Sequence, residues 1–115
     1  MRILIAEGEP LIGMNLEIMI KDMGHVSLLV ETASAALAAL RQSGFDAAIL
    51  DVSLLDGDSF EVAGEPRAAG VPFAFSTGRP IERPGFAEVE VLRKPYTEAQ
   101  LGPCIEQFMR RPGSG

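Results

Sequence analysis

Hydrophobic residues fall along the chain in short dense runs, separated by longer stretches with helical spacing. Arg2-Ile3-Leu4-Ile5-Ala6 is a mostly apolar run that Glu7-Gly8-Glu9-Pro10 breaks with turn chemistry, which predicts a first strand and a loop. From Leu11, apolar positions at Ile12, Met14, Leu16, Ile18, Met19, Ile20 and Met23 predict a helix with one broad buried face and its methionines in the core. Pro10 suits its first turn and Gly24 its end. His25 to Val30 reads as a second strand, and Thr32 or Ser34 can cap a helix through Ala35, Leu37, Ala38 and Leu40 that stops at Gly44.

A third strand runs from Asp46 to Asp51; its core, Ala47-Ala48-Ile49-Leu50, is dense enough to be buried on both faces. Asp58 or Ser59 can cap the next helix, with Phe60, Val62 and Ala63 inward; Gly64 and Pro66 weaken or kink it before Gly70 ends it. Val71 to Ser76 is a fourth strand. Two prolines and a glycine in Arg79-Pro80-Ile81-Glu82-Arg83-Pro84-Gly85 then oppose a regular helix, so the fourth helix is expected to be short or irregular. Val89 to Leu92 is a fifth strand. Thr97 can cap a last helix reaching Met109, bent at Pro103, with Leu101, Cys104 and Phe108 at core spacing. Five strands alternating with helices predict an α/β fold, an open doubly wound five-stranded parallel sheet.

Length and charge narrow the function classes. A chain of 115 residues suits one domain, here residues 1–110, with 111–115 as a frayed polar tail. A net charge of -6 argues against a nonspecific binder of nucleic acid or anionic membranes and toward protein partners. With one cysteine, Cys104, and one histidine, His25, neither an internal disulfide nor a zinc site of usual composition can form, and a reducing, cytoplasmic setting is expected. The opening apolar run stops at Glu7, far short of a signal-peptide core or membrane span.

The polar residues at the strand ends make a set. Glu7 follows the first strand, Asp51 ends the third, Thr77 follows the fourth and Lys94 the fifth, so all four fall on the carboxyl rim of a parallel sheet. Carboxylates about 4 Å apart repel by roughly 4 kcal/mol at an effective dielectric near 20, so a cation is expected among them. Lys94 and a divalent ion are the candidates, and oxygen donors favour Mg²⁺. A carboxylate nucleophile, a hydroxyl, an ammonium and a hard cation suit uptake of a phosphoryl group, with Asp51 attacking phosphorus and Lys94 and Thr77 holding phosphoryl oxygens.

On the motifs Arg2-Ile3-Leu4-Ile5-Ala6-Glu7 with Pro10-Leu11-Ile12, Ala48-Ile49-Leu50-Asp51-Val52-Ser53-Leu54, Ser76-Thr77-Gly78 and Leu92-Arg93-Lys94-Pro95-Tyr96, the chain resembles a stand-alone receiver domain of the two-component response-regulator family. The resemblance implies a flavodoxin-like sheet and a phosphoacceptor, Asp51, that takes part in its own phosphotransfer without being an enzyme. It implies a sensor histidine kinase or phosphotransfer protein as donor, and a downstream protein target. Metal ligands implied are Glu7, Asp51 and the Ser53 main-chain carbonyl, with Glu9 as a further possibility; Thr77 moves toward the phosphate, and the Lys94–Pro95 bond is commonly cis. Phe75-Ser76-Thr77-Gly78-Arg79 is similar to the FAT GUY subclass of single-domain receivers, with Ser76 in place of alanine and Pro80 in place of tyrosine.

Two departures stand out. The second of two acidic residues expected after the first strand is Gly8, and the switch aromatic of the fifth strand falls at Val91. A degenerate receiver that docks proteins without efficient phosphorylation is therefore the alternative. A haloacid-dehalogenase-type phosphatase would need its second aspartate at Ser53 and a longer chain.

Overall fold

The computed structural model describes residues 1–42, 44–54, 57–78, 85, 86 and 88–110. Five strands, β1 (Arg2–Ala6), β2 (Val26–Val30), β3 (Ala47–Asp51), β4 (Phe73–Thr77) and β5 (Glu90–Arg93), pair in parallel as one sheet in the order β2-β1-β3-β4-β5. The order reverses between β1 and β3, which opens a crevice at the carboxyl ends of those two strands. Alternate residues of each central strand serve two separate cores. Ile3, Ile5, Ile49 and Ala74 pack with Leu16 and Ile20 of α1 (Pro10–Asp22) and with Leu101, Cys104, Ile105 and Phe108 of α5 (Glu98–Arg110). Leu4, Leu50 and Phe75 pack on the opposite face with Ala36 and Ala39 of α2 (Ala33–Arg41) and with Val62 of α3 (Ser59–Val62). Burial on both faces explains why the central strands read as unbroken apolar runs.

Several boundaries move by one or two residues. β2 starts at Val26 because the His25 N–H is still tied to the Ile20 carbonyl at the end of α1, and α2 ends at Arg41, before Gly44. Thr32 is the cap of α2, its hydroxyl accepting from the Ala35 N–H at 3.1 Å. The helix expected after β3 is broken at Ala63 into α3 and α4 (Gly64–Ala69), in keeping with Gly64 and Pro66. Two short antiparallel pieces, Ser53–Leu54 and Gly57–Asp58, precede α3. The expected caps Asp58 and Ser59 lie outside the residues whose side chains are described, and so does all of Asp56.

One expectation needs correcting. α1 does not bury one broad apolar face: Gly13, Leu16 and Ile20 turn inward, while Leu11, Met14 and Ile18 are more than half exposed. The inward stripe is narrow because at Gly13 the helix lies close on β2, where a Cβ would come within 2.8 Å of the Leu29 side chain.

The irregular fourth helix was expected over residues that mostly lie outside the described ones, 79–84 and 87. The described part, Gly85, Phe86, Glu88 and Val89, is turn or irregular backbone, held down by aromatic packing. The Phe86 ring lies 5.2 Å from Phe60 and 5.3 Å from Phe75, with the Arg67 guanidinium over it at 4.5 Å from the ring centroid and paired to Glu88 at 2.7 Å. Among the described residues no helix is long and apolar enough to cross a membrane.

Candidate functional site

Parallel pairing places the ends of β1, β3, β4 and β5 on one rim, with Asp51 beside Ser76 and Thr77 beside Arg93 in register. Asp51 is the last residue of β3 and is 5% exposed. The chain folds back over it. Ser53 N–H donates to Asp51 Oδ1 at 3.2 Å and Gly8 N–H to Oδ2 at 3.3 Å, so each oxygen is oriented by a main-chain donor.

Lys94 reaches the carboxylates from the end of β5. Its Nζ lies 2.8 Å from Glu7 Oε1 and 3.3 Å from Asp51 Oδ1. Its own N–H is fixed to the Thr77 carbonyl at 2.8 Å, which ties the ends of β4 and β5 together under the site, and the Lys94–Pro95 bond is cis. Thr77 itself is 7% exposed at the rim. The structure thus brings Asp51, Lys94 and Glu7 into direct contact and sets Thr77 on the neighbouring strand.

Glu7 lies inside the rim, against Lys94. Two residues beyond Ile5, it turns to the side of the sheet covered by α1 and α5 and is only 1% exposed. Its Oε1 is taken by Lys94, and its Oε2 accepts the Glu9 N–H at 3.0 Å, so neither oxygen is free of protein donors. Burial drives the Glu7 carboxyl above its ordinary 4.5; Lys94 and the Glu9 N–H pull it down, and Asp51 pushes it up. For Lys94, burial lowers the pKa, but Glu7 and Asp51 together outweigh it and hold the ammonium above its ordinary value. Glu9 contributes its N–H from the start of α1, and its side chain is exposed.

The raised Glu7 carboxyl has a sign in stability. Over the pH interval from 4.5 up to its raised value, folded Glu7 keeps a proton that the unfolded chain has released, so stability falls as pH rises through that interval. Glu7→Gln should remove this part of the slope. Urea midpoints measured across the interval check it, and parallel slopes for wild type and Glu7→Gln would contradict the assignment.

Among the described residues no three of His, Cys, Asp and Glu converge as a metal cluster. A smaller donor set does. Asp51 Oδ2 and the Ser53 carbonyl both border the point where a Gly8 side chain would begin, 3.9 and 3.6 Å from an ideal Cβ there. One carboxylate and one carbonyl, both hard oxygen donors, suit an ion such as Mg²⁺ that keeps several waters. The absent Gly8 side chain is where a second carboxylate would stand.

Two hydroxyls escaped the reading of the sequence. Ser76 is 1% exposed, and both it and Tyr96 lie on the Glu7 side of the sheet without a hydrogen bond of good geometry among the described residues. Burial raises the Tyr96 hydroxyl pKa, and Ser76 pulls it the other way. Period-two alternation could have found Ser76, since Ala74 already faces that core.

No family model and no curated protein matches the chain. Solved structures do. SdrG from Sphingomonas melonis Fr1 is 36% identical over 94% of this chain and 95% of its own, with a TM-score of 0.84. The non-phosphorylated HemR receiver domain from Leptospira biflexa is 25% identical over 94% and 93%, TM-score 0.82. The receiver domain of the sensor histidine kinase PA1611 from Pseudomonas aeruginosa PAO1, with a magnesium ion coordinated in its active-site cleft, is 23% identical over 95% and 97%, TM-score 0.82, which shows a shared fold.

Proposed function

The chain belongs to the receiver-domain family of response regulators, and on that premise we propose that it accepts a phosphoryl group on Asp51 and signals through protein contacts. The observation that carries this reading is the rim geometry: a carboxylate oriented by two main-chain donors, with the Lys94 ammonium 3.3 Å from Oδ1. An Asp51 oxygen forms the new bond to phosphorus as the P–N bond of a phosphohistidine breaks, and the leaving imidazole recovers a proton from solvent. Lys94 and the Thr77 hydroxyl hold phosphoryl oxygens, the first by charge and the second by hydrogen bond.

Mg²⁺, when bound by Asp51 and the Ser53 carbonyl, supplies neutralisation of phosphoryl charge. Glu7 acts through Lys94, fixing its ammonium between the two carboxylates. Glu9, exposed at the start of α1, is a further candidate ligand, directly or through water. The donor is a sensor histidine kinase or phosphotransfer protein of the cytoplasm. The target is a protein that reads β4, β5 and α5. Val91 stands beside Phe75 in register where the usual switch aromatic is missing, so a coupled threonine and aromatic switch does not operate in its common form.

Incubation with a small phosphodonor and Mg²⁺, followed by intact mass, tests the proposal. One phosphate adduct, lost on treatment with hydroxylamine as acyl phosphates are, is expected. A reproducible absence of any adduct would sink it and leave the phosphorylation-independent binding module, which the missing Gly8 carboxylate favours.

A further inference from the structure

We propose that β2 is a self-association edge, joining two copies of the chain strand to antiparallel strand across a two-fold axis at Leu28. β2 is one edge of the sheet formed by the described residues. The Val26 N–H donates to the Met1 carbonyl and the Val30 carbonyl accepts from the Glu7 N–H, so the even-numbered residues face β1 with their main-chain groups. Ser27 and Leu29 turn theirs outward. Nothing in Val26-Ser27-Leu28-Leu29-Val30 guards this edge: it holds no charge and no proline, whereas β5 at the other edge carries exposed Glu90 and Arg93.

The occupant follows from self-complementarity. An isologous two-fold contact must pair a patch with itself. With the axis at Leu28, Ser27 of one copy faces Leu29 of the other, so the outward donors and acceptors meet as two hydrogen-bonded pairs flanking a non-hydrogen-bonded Leu28 pair. Val26 faces Val30 on the same side of the sheet as Leu28. Val26 is 64% and Leu28 41% exposed, and this pairing covers both. The flanking residues then set His25 against Glu31, a polar pair of opposite tendency, instead of stacking like upon like. His25 meets this pairing while its Nδ1 lies 2.8 Å from the Met1 nitrogen. A one-residue slip of register would set outward groups against inward ones and lose the ladder. The edge is short, which places the dimer in the weak, concentration-dependent class.

Sedimentation equilibrium at rising concentration should carry the average mass upward from 12.3 kDa toward twice that value. Ser27→Pro removes an outward donor at a position where an edge strand tolerates proline, and it should stay at 12.3 kDa with an unchanged circular dichroism spectrum. Register is tested by cross-linking. Leu28 lies opposite itself, with Cα atoms about 4.5 Å apart, within disulfide range. Val26 lies roughly 13 Å from its own mate. Under mild oxidation Leu28→Cys should form a disulfide dimer at least about tenfold faster than Val26→Cys, while Val26→Cys combined with Val30→Cys should cross-link readily. The native Cys104, 1% exposed, stays silent. A wild type that remains monomeric up to about 1 mM, or equal cross-linking of Leu28→Cys and Val26→Cys, would overturn the proposal. So would association that Ser27→Pro leaves intact, since the contact would then lie elsewhere. None of these outcomes depends on phosphorylation.

Discussion

Asp51→Asn should take up no phosphate from a small donor and Mg²⁺ under conditions that load the wild type with one adduct. The amide keeps the shape of the carboxylate and an oxygen for the Ser53 N–H, which donates at 3.2 Å, but it has no nucleophilic oxygen anion. The other nearby carboxylate cannot stand in for it. Glu7 is 1% exposed, with one oxygen on Lys94 and the other on the Glu9 N–H. Lys94 keeps its 2.8 Å contact to Glu7 after the substitution, so the fold should hold, with a melting temperature within about 5 °C of wild type. Intact mass and a thermal melt on the same samples read both effects. An adduct of wild-type stoichiometry on Asp51→Asn would remove Asp51 from the role, and a collapsed melt would call for Asp51→Ala in its place.

Much of this site was legible because it rests on strand ends. β3 is an apolar run stopped by a carboxylate, and in a parallel sheet that stop is a rim position whatever the rest of the chain does. The same logic placed Thr77 and Lys94. What it could not give is where a long side chain goes after leaving the rim. Strand parity sets Glu7 on the α1–α5 side, where Lys94 is the donor within reach. The grouping therefore came from position, and the contacts within it came from packing.

α1 shows the opposite limit. Leu11, Met14 and Ile18 are spaced three and four apart, as are Gly13, Leu16 and Ile20, so two stripes with helical spacing share one helix. Periodicity alone cannot say which of them faces the sheet. The deciding residue is Gly13, which lacks the apolar character that marks a core position and is buried because the backbone comes close to Leu29. In the connection before β5, the prolines announced irregular backbone, but the docking of Phe86 between Phe60, Phe75 and Arg67 is a tertiary event with no local signature.

Gly8→Asp should raise Mg²⁺ affinity at least about tenfold, or roughly 1.4 kcal/mol. The substitution is sterically open: an ideal Cβ at Gly8 lies 3.6 Å from the Ser53 carbonyl and 3.9 Å from Asp51 Oδ2, both ordinary contacts. The added carboxylate would start beside the two oxygens already suited to the ion and replace a water with an anion. Without Mg²⁺ the same change costs stability. A further negative charge within about 4 Å of Asp51 is worth between about 1 and 4 kcal/mol of repulsion, depending on how much water screens it, and Lys94 is already shared by two carboxylates. The variant should therefore melt below the wild type in chelator and regain the difference as Mg²⁺ is added at constant ionic strength, while the wild type responds weakly. Calorimetric Mg²⁺ titration and paired melts measure the two sides of that linkage. Unchanged affinity in Gly8→Asp would mean that the exposed Glu9, or water held by Asp51 and Ser53, already supplies what the glycine lacks. Phosphoryl uptake separates the cases further: if the missing carboxylate limits the site, Gly8→Asp loads faster than wild type at low Mg²⁺, and the two rates converge once both sites are saturated.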